Sequence, residues 1–129
     1  MNAKPIVMVV DDSSDTLLVI KMGLVRSGYE VHDFTNPTEA LTHIEQGCTK
    51  CELLVTDVRM PSMSGFELVR KVKALRPEIK VVLMTAFEVN LPELHTILPS
   101  FPADSVIRKP FMPSKLLEII KPLYASGNS

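Results

Sequence analysis

The sequence predicts a doubly wound α/β domain, a five-stranded parallel sheet with helices on both faces, and three observations carry that expectation. Ile6 to Val10, Leu53 to Val55, Val81 to Met84 and Val106 to Ile107 are short apolar runs of the kind that form strands buried on both faces. Segments with apolar residues at helical spacing separate them. Each run also leads to a polar residue: Asp11 and Asp12, Asp57, Thr85, and Lys109. Ligands of open parallel sheets bind outside the carboxyl ends of the strands. Three carboxylates, a hydroxyl and an ammonium are therefore expected at one edge. Carboxylates so crowded need a counter-ion, and Mg²⁺, a hard cation that prefers oxygen ligands, is the natural one.

The first strand is expected over Pro5 to Val10. A helix follows from Ser13 or Ser14, either of which could cap it, with apolar rows Leu17, Ile20, Leu24 and Leu18, Met22, Val25; Ser27-Gly28 stops it. The second strand, Glu30 to Phe34, alternates polar and apolar residues and belongs at the sheet edge. Asn36-Pro37 caps and opens a second helix running to about Gln46. The third strand spans Glu52 to Thr56, and a long turn over Arg59 to Gly65 precedes a helix from about Phe66 to Leu75. That helix is expected to present Phe66, Val69 and Val72 or Lys73 on one face. The fourth strand is Lys80 to Met84.

A short fourth helix is expected from Asn90, with Glu93 completing a capping pair and Pro99 and Pro102 limiting its length. The fifth strand, Asp104 to Arg108, leads to Lys109-Pro110. The last helix begins near Pro113 and carries Leu116, Leu117, Ile119 and Ile120; Pro122 should end or kink it. Residues 1–124 are read as one domain and 125–129 as a flexible tail.

The chain has 129 residues, 46% of them apolar, which fits one core of ordinary size. With 14 basic and 15 acidic residues the net charge is -1, which gives no electrostatic case for nucleic acid or an anionic membrane as partner. The apolar runs are too short to span a bilayer, and Met1 to Lys4 runs into a strand without a signal-peptide pattern. A cytoplasmic location is expected.

Taken together, Asp11-Asp12, Thr56-Asp57-Val58-Arg59-Met60-Pro61 with Gly65, Thr85-Ala86 and Lys109-Pro110-Phe111 resemble the receiver domain of two-component response regulators along almost the whole chain. The resemblance implies the flavodoxin-like strand order 2-1-3-4-5. It implies that Asp57 is the phosphoacceptor, that Asp11, Asp12, Asp57 and the backbone carbonyl of Arg59 serve the metal, and that Lys109 pairs with a phosphoryl oxygen. The Thr85 hydroxyl and the Ala86 backbone would contact the attached phosphoryl group. The implied donor is a phosphohistidine on a sensor kinase or a histidine phosphotransfer protein. The domain would act on itself, accepting the group and slowly hydrolysing it, rather than turning over a separate substrate as an enzyme.

Other features are read more plainly. Cys48-Thr49-Lys50-Cys51 spells C-x-x-C, but it follows a helix and leads into a strand, so the cysteines are read as structural or incidental thiols rather than a zinc or redox pair. His32 or His43 could add a ligand; with His95 they are read as surface residues. Val106 stands where the family usually has an aromatic residue, and a β-branched side chain cannot signal by swinging a ring. Six of the ten prolines fall between Pro92 and Pro122. This stiffens the face made by the fourth helix, fifth strand and last helix, through which relatives bind partners. With nothing after Tyr124 long enough for an output domain, a stand-alone receiver is expected. A phosphorylation-independent adaptor is the alternative, against which the intact acidic set argues. A haloacid dehalogenase-type phosphohydrolase would need an aspartate where Arg59 stands.

Overall fold

The computed structural model describes residues 4–47, 51–86, 96 and 101–127, with the backbone alone for residues 125–127. Five strands, β1 (Ile6–Val10), β2 (Glu30–Phe34), β3 (Cys51–Asp57), β4 (Lys80–Thr85) and β5 (Ser105–Arg108), form one sheet in the order β2-β1-β3-β4-β5. Every neighbouring pair is parallel. The described helices are α1 (Ser14–Arg26), α2 (Pro37–Glu45), α3 (Gly65–Leu75) and α4 (Pro113–Gly127). The helix expected from Asn90, and with it Pro92, Glu93 and Pro99, lies outside the described residues.

Side-chain alternation along the strands builds two cores. Ile6, Met8, Val10, Leu54, Val81 and Leu83 face one side with Ala40 and Ile44 of α2 and Leu68, Val69 and Val72 of α3. Val7, Val9, Leu53, Val55, Val82, Met84 and Ile107 face the other with Leu17, Ile20 and Leu24 of α1 and Leu116 and Ile120 of α4. All five residues of β1 are buried because helices cover both faces of the inner strands. β2 lies at the edge, and its mixed burial follows its polar alternation.

Local signals start the helices. The hydroxyl of Ser13 accepts from the Thr16 N–H, which selects Ser13 over Ser14 as the α1 cap. Asn36 Oδ1 accepts from the Thr38 N–H ahead of Pro37, and Ser64 Oγ accepts from the Glu67 N–H at the start of α3. Of the two apolar rows on α1, Leu17, Ile20 and Leu24 are buried; Leu18, Met22 and Val25 are 57%, 50% and 45% exposed. On α3 the buried stripe is Leu68, Val69 and Val72. Phe66 sits at its rim, edge-on to Phe101 at 5.1 Å, and Lys73 pairs with Asp104 at 3.9 Å.

The last helix departs from expectation. Pro122 does not end it: α4 continues to Gly127, so the expected tail from Ala125 begins as helix. Pro122 is exposed, where the carbonyl it leaves unpaired can be hydrated. Beyond it, Tyr124 donates its hydroxyl to the Ile6 carbonyl at 2.6 Å and stacks near Tyr29 at 5.5 Å. Anchors on both sides of the proline hold the helical course.

The turn between β3 and α3 folds tightly under Asp57. The Val58 N–H donates to the Met84 carbonyl, and the Gly65 N–H donates to the Val58 carbonyl at 2.8 Å. A Cβ at Gly65 would lie 2.1 Å from the Asp57 carbonyl oxygen, so only glycine allows this approach. Gly28 also has an unusual conformation, φ +95°, but nothing lies within 4 Å of its missing Cβ. Gly65→Ala is therefore expected to cost about 3 kcal/mol or more, against roughly 1 kcal/mol for Gly28→Ala. Denaturant unfolding of both variants checks the ranking; equal costs would contradict it.

Candidate functional site

Asp57 is the last residue of β3 and Thr85 the last of β4, while Asp11 follows β1 and Lys109 follows β5. These strands are parallel neighbours, so their carboxyl ends open on the same side. There one carboxylate oxygen from each of Asp11, Asp12 and Asp57 lies within 4.8 Å of the other two. Asp11 is fully buried, Asp57 is 9% exposed and Asp12 is exposed. Lys109 Nζ donates to Asp11 Oδ2 at 2.5 Å and lies 3.3 Å from Asp57 Oδ2. One ammonium thus serves a cluster of three carboxylates.

Backbone groups hold these side chains in place. Asp11 Oδ1 accepts from the Ser13 N–H at 2.9 Å, and the Asp11 N–H donates to the Phe34 carbonyl at 3.1 Å. Ser13 therefore positions Asp11 and caps α1 at once. Asp57 Oδ1 accepts from the Val58 N–H at 2.9 Å, and the Thr56 hydroxyl donates to the Asp57 carbonyl at 3.0 Å. This leaves Asp57 Oδ2 on the Lys109 side. Thr85 is 4% exposed, and its carbonyl accepts from the Lys109 N–H at 2.7 Å, tying the hydroxyl-bearing strand end to the ammonium. Ala86 is exposed beside it, and Arg59 is exposed two residues past Asp57.

Charge perturbation agrees with the geometry. Burial pushes the Asp57 carboxyl above its ordinary value, and the Asp11 charge adds to this. Lys109 and the Val58 N–H pull the other way without cancelling it. Burial alone would lower the Lys109 ammonium, but its contacts with Asp11 and Asp57 outweigh that and raise it. The ammonium stays charged and only partly neutralises the cluster. Several oxygen donors converging around excess negative charge fit a hard divalent cation.

The expected site residues that come together are Asp11, Asp12, Asp57 and Lys109, with Thr85 joined through its backbone. Ser13, expected only as a possible helix cap, and Val58, expected only as a neighbour of Asp57, also hold the site carboxylates through their N–H groups; the signal for Ser13 is its place two residues after Asp11, as an Asx turn requires.

The histidines correct the surface reading. His32 and His43 are half-buried, with His32 Nδ1 2.9 Å from His43 Nε2 and the rings edge-on at 4.9 Å. Burial, then the neighbouring His32, lowers the His43 imidazole below its ordinary value. Cys51 is fully buried and disulfide-bonded, so it is not the free thiol expected. Cys48 and His95 lie outside the described residues.

Comparison with known proteins gives a consistent result. The model of the response regulator receiver domain matches residues 7–121. The chain is 27% identical over 115 residues to the chemotaxis protein CheY of Thermotoga maritima, covering 88% of this chain and 92% of that protein. A CheY-like receiver domain protein from Methanospirillum hungatei superposes with TM-score 0.86 at 32% identity, covering 98% of both chains. The response regulator TrrA of Thermotoga maritima, solved in complex with Mg²⁺ and beryllofluoride, superposes with TM-score 0.79 at 30% identity, covering 94% of this chain and 99% of that one. Other curated relatives are longer, and the chain spans half of their length or less. No helix among the described residues is long and apolar enough to cross a membrane. With the family model matching nearly the whole chain and the same fold in its relatives, the chain belongs to the response regulator receiver domain family of two-component signalling.

Proposed function

We propose that residues 1–124 act as a phosphoacceptor receiver in the cytoplasm. A carboxylate oxygen of Asp57 attacks the phosphorus of a phosphohistidine on a sensor kinase or phosphotransfer protein. The nitrogen–phosphorus bond breaks, and an acyl phosphate forms on Asp57. The observation that carries this reading is the position of Asp57: one oxygen is fixed by the Val58 N–H and the other lies beside an ammonium at an open sheet edge.

The remaining roles belong to the same proposal. Lys109, already against Asp57 Oδ2, reaches an oxygen of a group attached there. The Thr85 hydroxyl and Ala86 backbone receive another phosphoryl oxygen. Asp11, Asp12, Asp57 and the Arg59 carbonyl hold Mg²⁺, which when bound offsets repulsion between the anionic nucleophile and the anionic phosphoryl group. The similar TrrA was solved in complex with Mg²⁺ and beryllofluoride, which supports Mg²⁺ as the cation. The domain acts on itself and hydrolyses its acyl phosphate slowly. Its output passes through noncovalent partners that dock on β5 and α4.

Incubation with acetyl phosphate and Mg²⁺ is expected to add one phosphoryl group, read by intact-mass spectrometry. Asp57→Asn abolishes the addition; equal labelling of that variant would remove Asp57 from its role. Chelation with EDTA, or Asp12→Ala, slows the reaction at least about tenfold, roughly 1.4 kcal/mol of barrier. Unchanged rates would refute metal dependence.

The raised Asp57 carboxyl sets a pH-dependent stability. Because its folded-state value lies above the unfolded one, ionisation disfavours the fold, and the penalty is complete once pH exceeds the folded value. In EDTA at neutral pH, Asp57→Asn is expected to melt at a higher temperature than wild type. The gain shrinks as pH falls and vanishes below the unfolded value of about 4. Saturating Mg²⁺ stabilises the wild type by mass action and narrows or reverses the difference. A lower melting temperature for the variant in EDTA would contradict the repulsion.

Beryllofluoride is expected to shift amide NMR signals from Ala86 through Pro113 in the wild type and much less in Thr85→Ala. Equal shifts in both proteins would exclude Thr85 as the coupling residue.

A further inference from the structure

We propose that His32 Nδ1, His43 Nε2 and the Cys51 thiolate form a zinc site beneath α2, and that it assembles when the disulfide at Cys51 is reduced. The three residues come from β2, α2 and the start of β3, on the sheet face that α2 covers and away from the carboxylate cluster at the strand ends. One ligand atom from each lies within 4.8 Å of the others, and the two ring nitrogens are 2.9 Å apart. In a tetrahedral site two nitrogens about 2.0 Å from zinc stand about 3.3 Å apart. The ring nitrogens need to separate by a few tenths of an ångström, and the rings to turn so that both lone pairs meet at the metal.

A second contact points to the same use. His32 Nε2 lies 2.7 Å from Glu30 Oε2, which fixes the proton on Nε2 and leaves a lone pair on Nδ1 facing His43. A carboxylate that orients an imidazole through its far nitrogen is the usual support of a zinc-bound histidine. Without metal, His43 Nε2 must carry the proton that bonds to His32 Nδ1. With metal, that proton resides on His43 Nδ1, and the imidazole stays neutral. The two half-buried rings leave a way in, whereas the sulfur is fully buried.

Oxidation state gates the third ligand, because a disulfide sulfur has no thiolate to offer. Reduction by a phosphine consumes the disulfide and one water, and yields two thiols and the phosphine oxide. Zn²⁺ then displaces the Cys51 thiol proton, giving one zinc–sulfur and two zinc–nitrogen bonds and releasing one proton. Mixed nitrogen and sulfur donors suit zinc and disfavour Mg²⁺ or Ca²⁺. The fourth position falls to water.

The test titrates the full chain with Co²⁺ as a spectroscopic stand-in for zinc, after phosphine reduction and with excess Mg²⁺ to occupy the carboxylate cluster. Expected is one Co²⁺ per chain with thiolate-to-metal charge-transfer absorption, displaced by Zn²⁺ and absent in oxidised protein. His43→Ala and His32→Ala should each weaken binding at least tenfold with the thiols intact and the fold verified by circular dichroism. Glu30→Gln, acting through His32, should weaken binding about tenfold while keeping the band. No charge-transfer band in the reduced wild type would overturn the proposal. So would wild-type affinity in both histidine variants, which would indicate a site made by the thiols alone.

Discussion

Negative charge concentrated at the ends of buried strands is the constraint on which this structure turns. Asp11 is fully enclosed and Asp57 nearly so, and an isolated carboxylate in such surroundings would be protonated or would unfold its neighbourhood. The Lys109 ammonium bridging the two makes the arrangement tenable. It does so incompletely, as the raised Asp57 carboxyl shows. A fold selected for stability alone would place apolar residues here. Incompletely compensated charge at a buried edge costs stability, and such sites are commonly functional ones.

The sheet makes that concentration possible. Parallel order β2-β1-β3-β4-β5 puts the ends of four consecutive neighbours, β1, β3, β4 and β5, on one side, so residues 98 positions apart in the chain share a hydrogen bond. Complete burial of β1 and near-complete burial of β3 and β4 leave little freedom for those ends to drift. The close passage of Gly65 under the Asp57 carbonyl serves the same end, because it fixes the turn that presents the acceptor. Packing on both faces thus sets the positions of a few polar atoms at the rim.

Much of this was legible in the sequence because it rests on local pattern. Apolar runs fixed the inner strands, polar alternation put β2 at the edge, and Asn36-Pro37 marked the start of α2. The acidic set was legible because Asp11-Asp12 and Asp57 stand at the ends of apolar strand runs. Other features needed tertiary context. Two apolar rows on α1 are equally good at helical spacing, and only the position of the sheet selects Leu17, Ile20 and Leu24. Pro122 carries a strong local stop signal, overridden because Tyr124 is anchored on Ile6 beyond it. The pairing of His32 with His43 joins a strand to the following helix at a spacing of eleven residues, which no periodicity announces.

The absence of an aromatic residue at position 106 narrows how phosphorylation could be transmitted. Val106 is half-buried beside Leu83 in the β4–β5 register and packs against the core on the α2 and α3 side. Its branched side chain has few rotamers and no ring to move between core and surface. The link between the Lys109 N–H and the Thr85 carbonyl makes the two strand ends a single unit. If a phosphoryl group drew the Thr85 hydroxyl and the Lys109 ammonium together, as proposed, it would pull on the same pair of strand ends from both sides. The shift this produces is limited by the difference in free energy that those two contacts make between states, so a small population change is the expected scale of response.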